Sequence, residues 1–203
     1  MLVDAMHRDI SEELFSLESP SLLAIRFQKR VRVRPSRIVA GAGRIGFTPP
    51  SKLATPEGYD ASGGIFAGYE GDGRILVADE GKTITIMRMR NDESFGFAAN
   101  AVLAVDDKAT VDDISVGIPA GGLWHAVMVT GPTFMAYSSA GPISPIPVTP
   151  ESPVFVRPGF VVGWTIGMTV EAKGSKLADT RISFSGTGQV FIQGAAAEDW
   201  LKV

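Results

Sequence analysis

Three stretches decide how this chain folds: VRVRPSRIVAG (31–41), FGFAANAVLAV (95–105) and VFVRPGFVVGW (154–164). Apolar residues hold the first, third, eighth and ninth places in all three, and the tenth is Ala40, Ala104 or Gly163. The middles are Pro35-Ser36, Ala99-Asn100 and Pro158-Gly159. Proline presets φ for the first corner of a turn, and Gly or Asn tolerates the second. Each stretch therefore reads as strand, tight turn, strand.

A second set follows in the same order: GDGRILVADEG from Gly71, GPTFMAYSSAG from Gly131 and GTGQVFIQG from Gly186. Each opens on a turn glycine and runs into a short apolar strand. Two residues before the glycine stands Tyr69, Val129 or Phe184, and two before that Ala67, Val127 or Ile182. Alternation on both sides of a glycine turn is a hairpin pattern. A third element precedes the first set: SPSLLAI from Ser19, TITIMRM from Thr83 and PISPIPV from Pro142. The prolines of the last copy cannot donate ladder hydrogen bonds, which predicts an edge or irregular strand.

Two independent patterns thus keep one order and a period of about 60 residues. The expectation is an all-β fold of three strand-hairpin-hairpin units, about 19–78, 83–138 and 142–194, burying their apolar faces together in a pseudo-threefold barrel. They form one domain, 19–197, between an N-terminal extension, 1–18, and a tail, 198–203. In the extension, Asp9 with Glu12 three residues on can cap a short helix through about Leu17, with Met6, Ile10, Leu14 and Leu17 on one face. Residues 58–73, with six glycines, read as containing a flexible loop.

The composition suits this reading. Hydrophobic residues make up 45% and charged residues 20% of 203, an ordinary globular balance, and 23 Gly with 13 Pro suit many strands joined by tight turns. No apolar run approaches the length of a membrane-spanning helix, and the acid-bearing N-terminus resembles neither a secretory signal nor a transit peptide, so a cytoplasmic protein is expected. There is no Cys and hence no thiol chemistry.

The stretch from Gly131 to Glu171, with ISFSGTGQVFIQG (182–194), resembles the AIM24 family, and the middle stretch ending FGFAANAVLAVDD is similar more loosely. The resemblance spans most of residues 20–194. It implies a triplicated version of the fold of the tryptophan RNA-binding attenuation protein, a short double-stranded β-helix, and homo-oligomerisation. It implies no activity. The prolines 142, 145 and 147 and the glycine-rich insert depart from the pattern.

Chemical motifs are few. Gly41-Ala-Gly43-Arg-Ile-Gly46 has G-x-G-x-x-G spacing, but Pro49-Pro50 stops any helix that a dinucleotide site needs, so it reads as a loop leaving a strand. Only His7 and His125 are present, too few for a multi-histidine metal site. Asp106-Asp107 and Asp112-Asp113 lack the spacing of a calcium loop and read as solvated. With no nucleophile elbow either, no enzyme and no cofactor are expected.

Charge supplies one candidate site. Eight Lys or Arg and no acid lie between Ser19 and Pro56, leaving 11 basic against 22 acidic residues elsewhere. Strand alternation puts Arg30, Arg32 and Arg34 on one face, with Val31 and Val33 on the other, and Lys29 and Arg37 nearby. Such a row suits phosphates of nucleic acid or an anionic lipid surface. The alternative is a strand face neutralised by acidic neighbours such as Asp79 and Glu80, or by a subunit contact. Arg32 is matched by Gly96 and Phe155 in the other stretches, so the row belongs to one copy alone. The expected role is a non-enzymatic assembly or binding module.

Overall fold

The structure, a computed structural model, describes residues 14–49, 54–55, 58–59 and 64–196. It is all-β. The strands are β1 (Phe15–Ser19), β2 (Leu22–Phe27), β3 (Arg30–Val33), β4 (Ile38–Thr48), β5 (Ala54–Thr55), β6 (Gly58–Tyr59) and β7 (Ala67–Ala78). Then come β8 (Thr83–Met89), β9 (Ser94–Ala98), β10 (Val102–Asp106), β11 (Thr110–Asp113), β12 (Val116–Gly117), β13 (Leu123–Trp124), β14 (Ala126–Thr130) and β15 (Thr133–Ser139). The last are β16 (Ile143–Val148), β17 (Val154–Val156), β18 (Val161–Thr165), β19 (Met168–Lys173), β20 (Arg181–Gly186) and β21 (Gly188–Gln193).

Two compact units share the chain, and their boundary cuts through the middle stretch. The first takes residues up to Glu93, Val102–Val111 and Thr130–Ser138; the second takes Ser94–Ala101, Asp112–Val129 and the chain from Ser139. In the first unit a sheet runs β1-β2-β7-β3-β10-β15-β8, with β4 also on β7. Ile84 N donates to Pro20 O at 2.7 Å, bringing the two ends of that path together in a nearly closed sheet. Its core packs Phe15, Leu23, Ile25, Val31, Val33 and Leu103. The second unit is built on a six-stranded sheet, β11-β14-β9-β18-β21-β16, and a three-stranded one, β17-β20-β19. Its core centres on Trp164, whose ring centroid lies 5.5 Å from those of both Trp124 and Phe184. The proline-bearing strand β16 ends its sheet, the edge position its missing donors require.

All three deciding stretches fold as strand, 3-10 turn, strand, the turns lying at Pro35–Arg37, Ala99–Ala101 and Pro158–Phe160. Ile38 N donates to Pro35 O and Val161 N to Pro158 O, so proline fixes both outer corners in the same way. They are not hairpins, however. In none do the two arms pair with each other: β3 and β4 both pair β7, β9 lies between β14 and β18 while β10 lies between β3 and β15, and β17 pairs β20 while β18 lies between β9 and β21. The glycines of the second set likewise mark strands that change partner: β20 pairs β17 and β19, whereas β21 pairs β16 and β18. Antiparallel pairs of successive arms do lie between the two sets, as β4–β7 and β19–β20. A local turn pattern does not distinguish a hairpin from a bent strand that switches sheets.

Register is the informative quantity. In the β4–β7 ladder Ile38 faces Val77, then Ala40 faces Leu76 and Gly41 faces Ile75. In β10–β15 the same places read Val102 with Tyr137, Ala104 with Ala136, Val105 with Met135. In β18–β21 they read Val161 with Ile192, Gly163 with Phe191, Trp164 with Val190. One residue is skipped each time, Val39, Leu103 or Val162, always the ninth of its stretch. One extra residue bends and twists a strand, so the same bulge bends each second arm at the same step.

Residues 1–13 lie outside the described residues, but Phe15–Ser19 is a strand, so a helix through Leu17 is excluded. Of residues 58–73, read as containing a flexible loop, Ala67–Gly73 form the first half of β7. Gly41–Gly46 is no loop either; all of it lies in β4, where Gly43 adopts φ +115 against the Asp72–Gly73 backbone. The third-element alignment slips by two residues: Ala24 and Pro145 are the equivalent positions, since they face Leu76 and Phe191.

Candidate functional site

The arginine row begins where β3 enters the first unit. Lys29 is exposed, while Arg30 is half-buried and its Nε meets Asp107 Oδ1 at 2.6 Å. Arg32 is only 2% exposed, and its guanidinium donates to Ala109 O, with Asp106 O at 3.5 Å. Arg34 is 4% exposed, and its N donates to Leu103 O at 2.9 Å. Arg37 Nη1 reaches Asp79 Oδ1 at 3.0 Å.

These contacts give the row a physical role. The β3–β10 ladder sets Val31 opposite Asp106, so the turn after β10 falls beside the arginines. Arg30 and Arg32 hold that turn, one through a carboxylate and the other through carbonyls. Buried guanidinium groups need such partners, because unpaired charge is costly away from water. Arg32 and Arg34 do not face solvent and Arg30 is half-buried, so the row is held largely by the protein's own acceptors, as in the neutralised alternative.

Asp79 anchors the other end. Its carboxylate is 2% exposed; Arg37 takes Oδ1, and Lys82 Nζ takes Oδ2 at 2.9 Å beside the Ser138 hydroxyl. This is a closed ion cluster that ties the Pro35 corner to the end of β7 and to β15. Asp79 was legible as a neighbour of the row. Asp107 and Ser138 were not, because only the β3–β10 register and the closing of β15 onto the sheet bring them there.

Two open grooves flank the row. One, of about 840 Å³, is lined by Lys29, Arg30, Arg44, Glu70 and Asp107, a mixture of both signs. The other, about 470 Å³, carries Arg88, Arg90, Lys108, Asp106 and Phe134, with the Arg88 guanidinium 5.7 Å over the Phe134 ring. Neither groove converges on a nucleophile–base pair. No three His, Asp or Glu side chains come together to hold a metal among the described residues. Asp107 is taken by Arg30, and Asp113 Oδ1 accepts from Ser115 N.

The remaining feature is two sheet edges. Among the described strands β4 pairs only β7, and along it Val39 is 59% and Phe47 58% exposed. Among the described strands β17 pairs only β20, and its Phe155 is 72% exposed, the largest exposure of any bulky apolar residue described. Open edges carrying apolar side chains are templates for pairing with another chain.

Bulged ladders, an internal ion cluster and open edges characterise the described all-β fold. The chain belongs to the AIM24 family: the family model described as mitochondrial biogenesis AIM24 matches residues 20–195. No curated protein matches the sequence. The fold is similar to the X-ray crystal structure of protein SPYM3_0169 from Streptococcus pyogenes, with a TM-score of 0.71 over 92% of this chain and 94% of that one. At 16% identity that likeness is one of fold alone. No helix among the described residues is long and apolar enough to cross a membrane.

Proposed function

We propose that this protein is a non-enzymatic assembly module of the cytoplasm that associates with further copies of itself through its open strand edges. The observation that carries this reading is the pair of edges, β4 with Val39 and Phe47 and β17 with Phe155, each paired on one side alone among the described strands and carrying exposed apolar side chains. The framework itself is read as three related units in a pseudo-threefold, double-stranded β-helix arrangement like that of the tryptophan RNA-binding attenuation protein. The bulge at the ninth place of each stretch supports it, since three unrelated strands have no reason to skip the same residue against the same partner positions.

Light scattering on the purified chain tests the assembly reading. A mass that is a multiple of 21.5 kDa is expected. A monomer at every micromolar concentration tried would remove it.

A further inference from the structure

The first arm of one stretch pairs with the second arm of the next, and it does so twice in one register. In β3–β10, Val33 faces Ala104, Arg32 faces Val105 and Val31 faces Asp106. In β9–β18, Phe97 faces Gly163, Gly96 faces Trp164 and Phe95 faces Thr165. By place in the stretch, three faces ten, two faces eleven and one faces twelve in both ladders. Among the described strands the rule leaves one first arm, β17, and one second arm, β4, without such a partner.

Both unpaired arms are built to make that ladder. β17 meets β20 with Val154 opposite Phe184 and Val156 opposite Ile182, the places at which β3 meets Tyr69 and Ala67 on β7. β4 meets β7 in the register in which β10 meets β15. Inter-strand hydrogen bonds alternate along a strand, so equal registers on the inner side leave the same donors and acceptors on the outer side. The free edge of β17 is therefore equivalent to the edge β3 offers β10. The free edge of β4 is equivalent to the edge β10 offers β3.

The side chains also fit. At the central step of β9–β18 the aromatic ring of Trp164 covers Gly96. The same step between β17 and β4 would set Phe155 over Gly41, the same large-on-small pair with its members exchanged. Further out, Ser152 would stand opposite Arg44 and the exposed Glu151 one step beyond, giving opposite charges at the rim. At the inner end Arg157 N would meet Val39 O, as Arg34 N meets Leu103 O at 2.9 Å.

We infer that β17 of one copy adds to β4 of a second copy, antiparallel, with Phe155 opposite Gly41, Val156 opposite Ala40 and Val154 opposite Ala42. The two edges differ, so the contact is head-to-tail, and each copy gives β17 and receives on β4. Repetition yields a ring when the rotation closes and a filament when it does not. This rests on the assembly reading and adds the partner surface and its register.

The chain has no cysteine, so an engineered pair reports without background. Gly41→Cys and Phe155→Cys, made in separate chains, mixed and mildly oxidised, should give a covalent heterodimer in at least tenfold excess over a Phe47→Cys and Phe155→Cys mixture. Position 47 lies about 20 Å further along the strand, at roughly 3.3 Å per residue. Phe155→Asp should abolish assembly while leaving the far-ultraviolet circular dichroism spectrum unchanged, because the residue is exposed. Assembly without the 41–155 cross-link would overturn the register and leave the assembly reading standing. A chain carrying both cysteines that closes on itself as a monomer would overturn the pairing between copies. A monomer at all concentrations would remove both.

Discussion

The indole of Trp164 occupies the space in which Gly96 would carry a Cβ, and the two residues face each other across the β9–β18 ladder. The glycine is thus required by packing, and the contact sits in the core of the second unit. Gly96→Ala forces the ring off its position, an overpacking that costs about 1–3 kcal/mol. Thermal melting should show the loss, and a smaller residue at 164 should couple with it non-additively.

Asp79 should be the most sensitive charged position. Removing its carboxylate strands the Arg37 and Lys82 charges around a 2% exposed site. Asp79→Ala is expected to cost about 3–5 kcal/mol in urea unfolding. Arg37→Ala should cost less, since Lys82 and Ser138 still hold the carboxylate.

Within the arginine row the effects should separate by burial. Arg30 and Asp107 are each about one third exposed, so Arg30→Ala should cost less than about 1 kcal/mol. Arg32→Ala leaves the carbonyls of the 106–109 turn without their charged donor, and should cost about 2 kcal/mol or more. Equal losses at the two positions would contradict the roles assigned to them.

Burial pushes the Tyr137 phenol above the ordinary tyrosine value, with a hydrogen bond involving Thr85 pulling partly back. The unfolded phenol ionises first, near pH ~10, while the folded one keeps its proton. Stability should therefore fall as pH rises through that value. Tyr137→Phe should flatten that alkaline limb in denaturant titrations at stepped pH, and an unchanged limb would contradict the assignment.

How far the fold can be read from sequence varies by element. Places eight to eleven of the three stretches, aligned on apolar pattern alone, became three equivalent bulged ladders, buried in the second and third copies but half-buried to exposed along Ile38–Gly41. Partner strands were not legible: Pro35-Ser36 and Pro158-Gly159 dictate a corner, but only long-range packing decides where the second arm goes. The slip between Ala24 and Pro145 has a simple cause. Strand alternation has period two, so a shift of two residues keeps every side chain on its own face. The arginine row was placed on the right strand, yet its burial depended on the turn at Asp106–Ala109, more than 70 residues away.

Sedimentation equilibrium of the unmodified chain beside Phe155→Asp tests the central claim most directly. The unmodified chain should sediment at a multiple of 21.5 kDa and the variant at 21.5 kDa. Two identical monomers across the micromolar range would contradict the account.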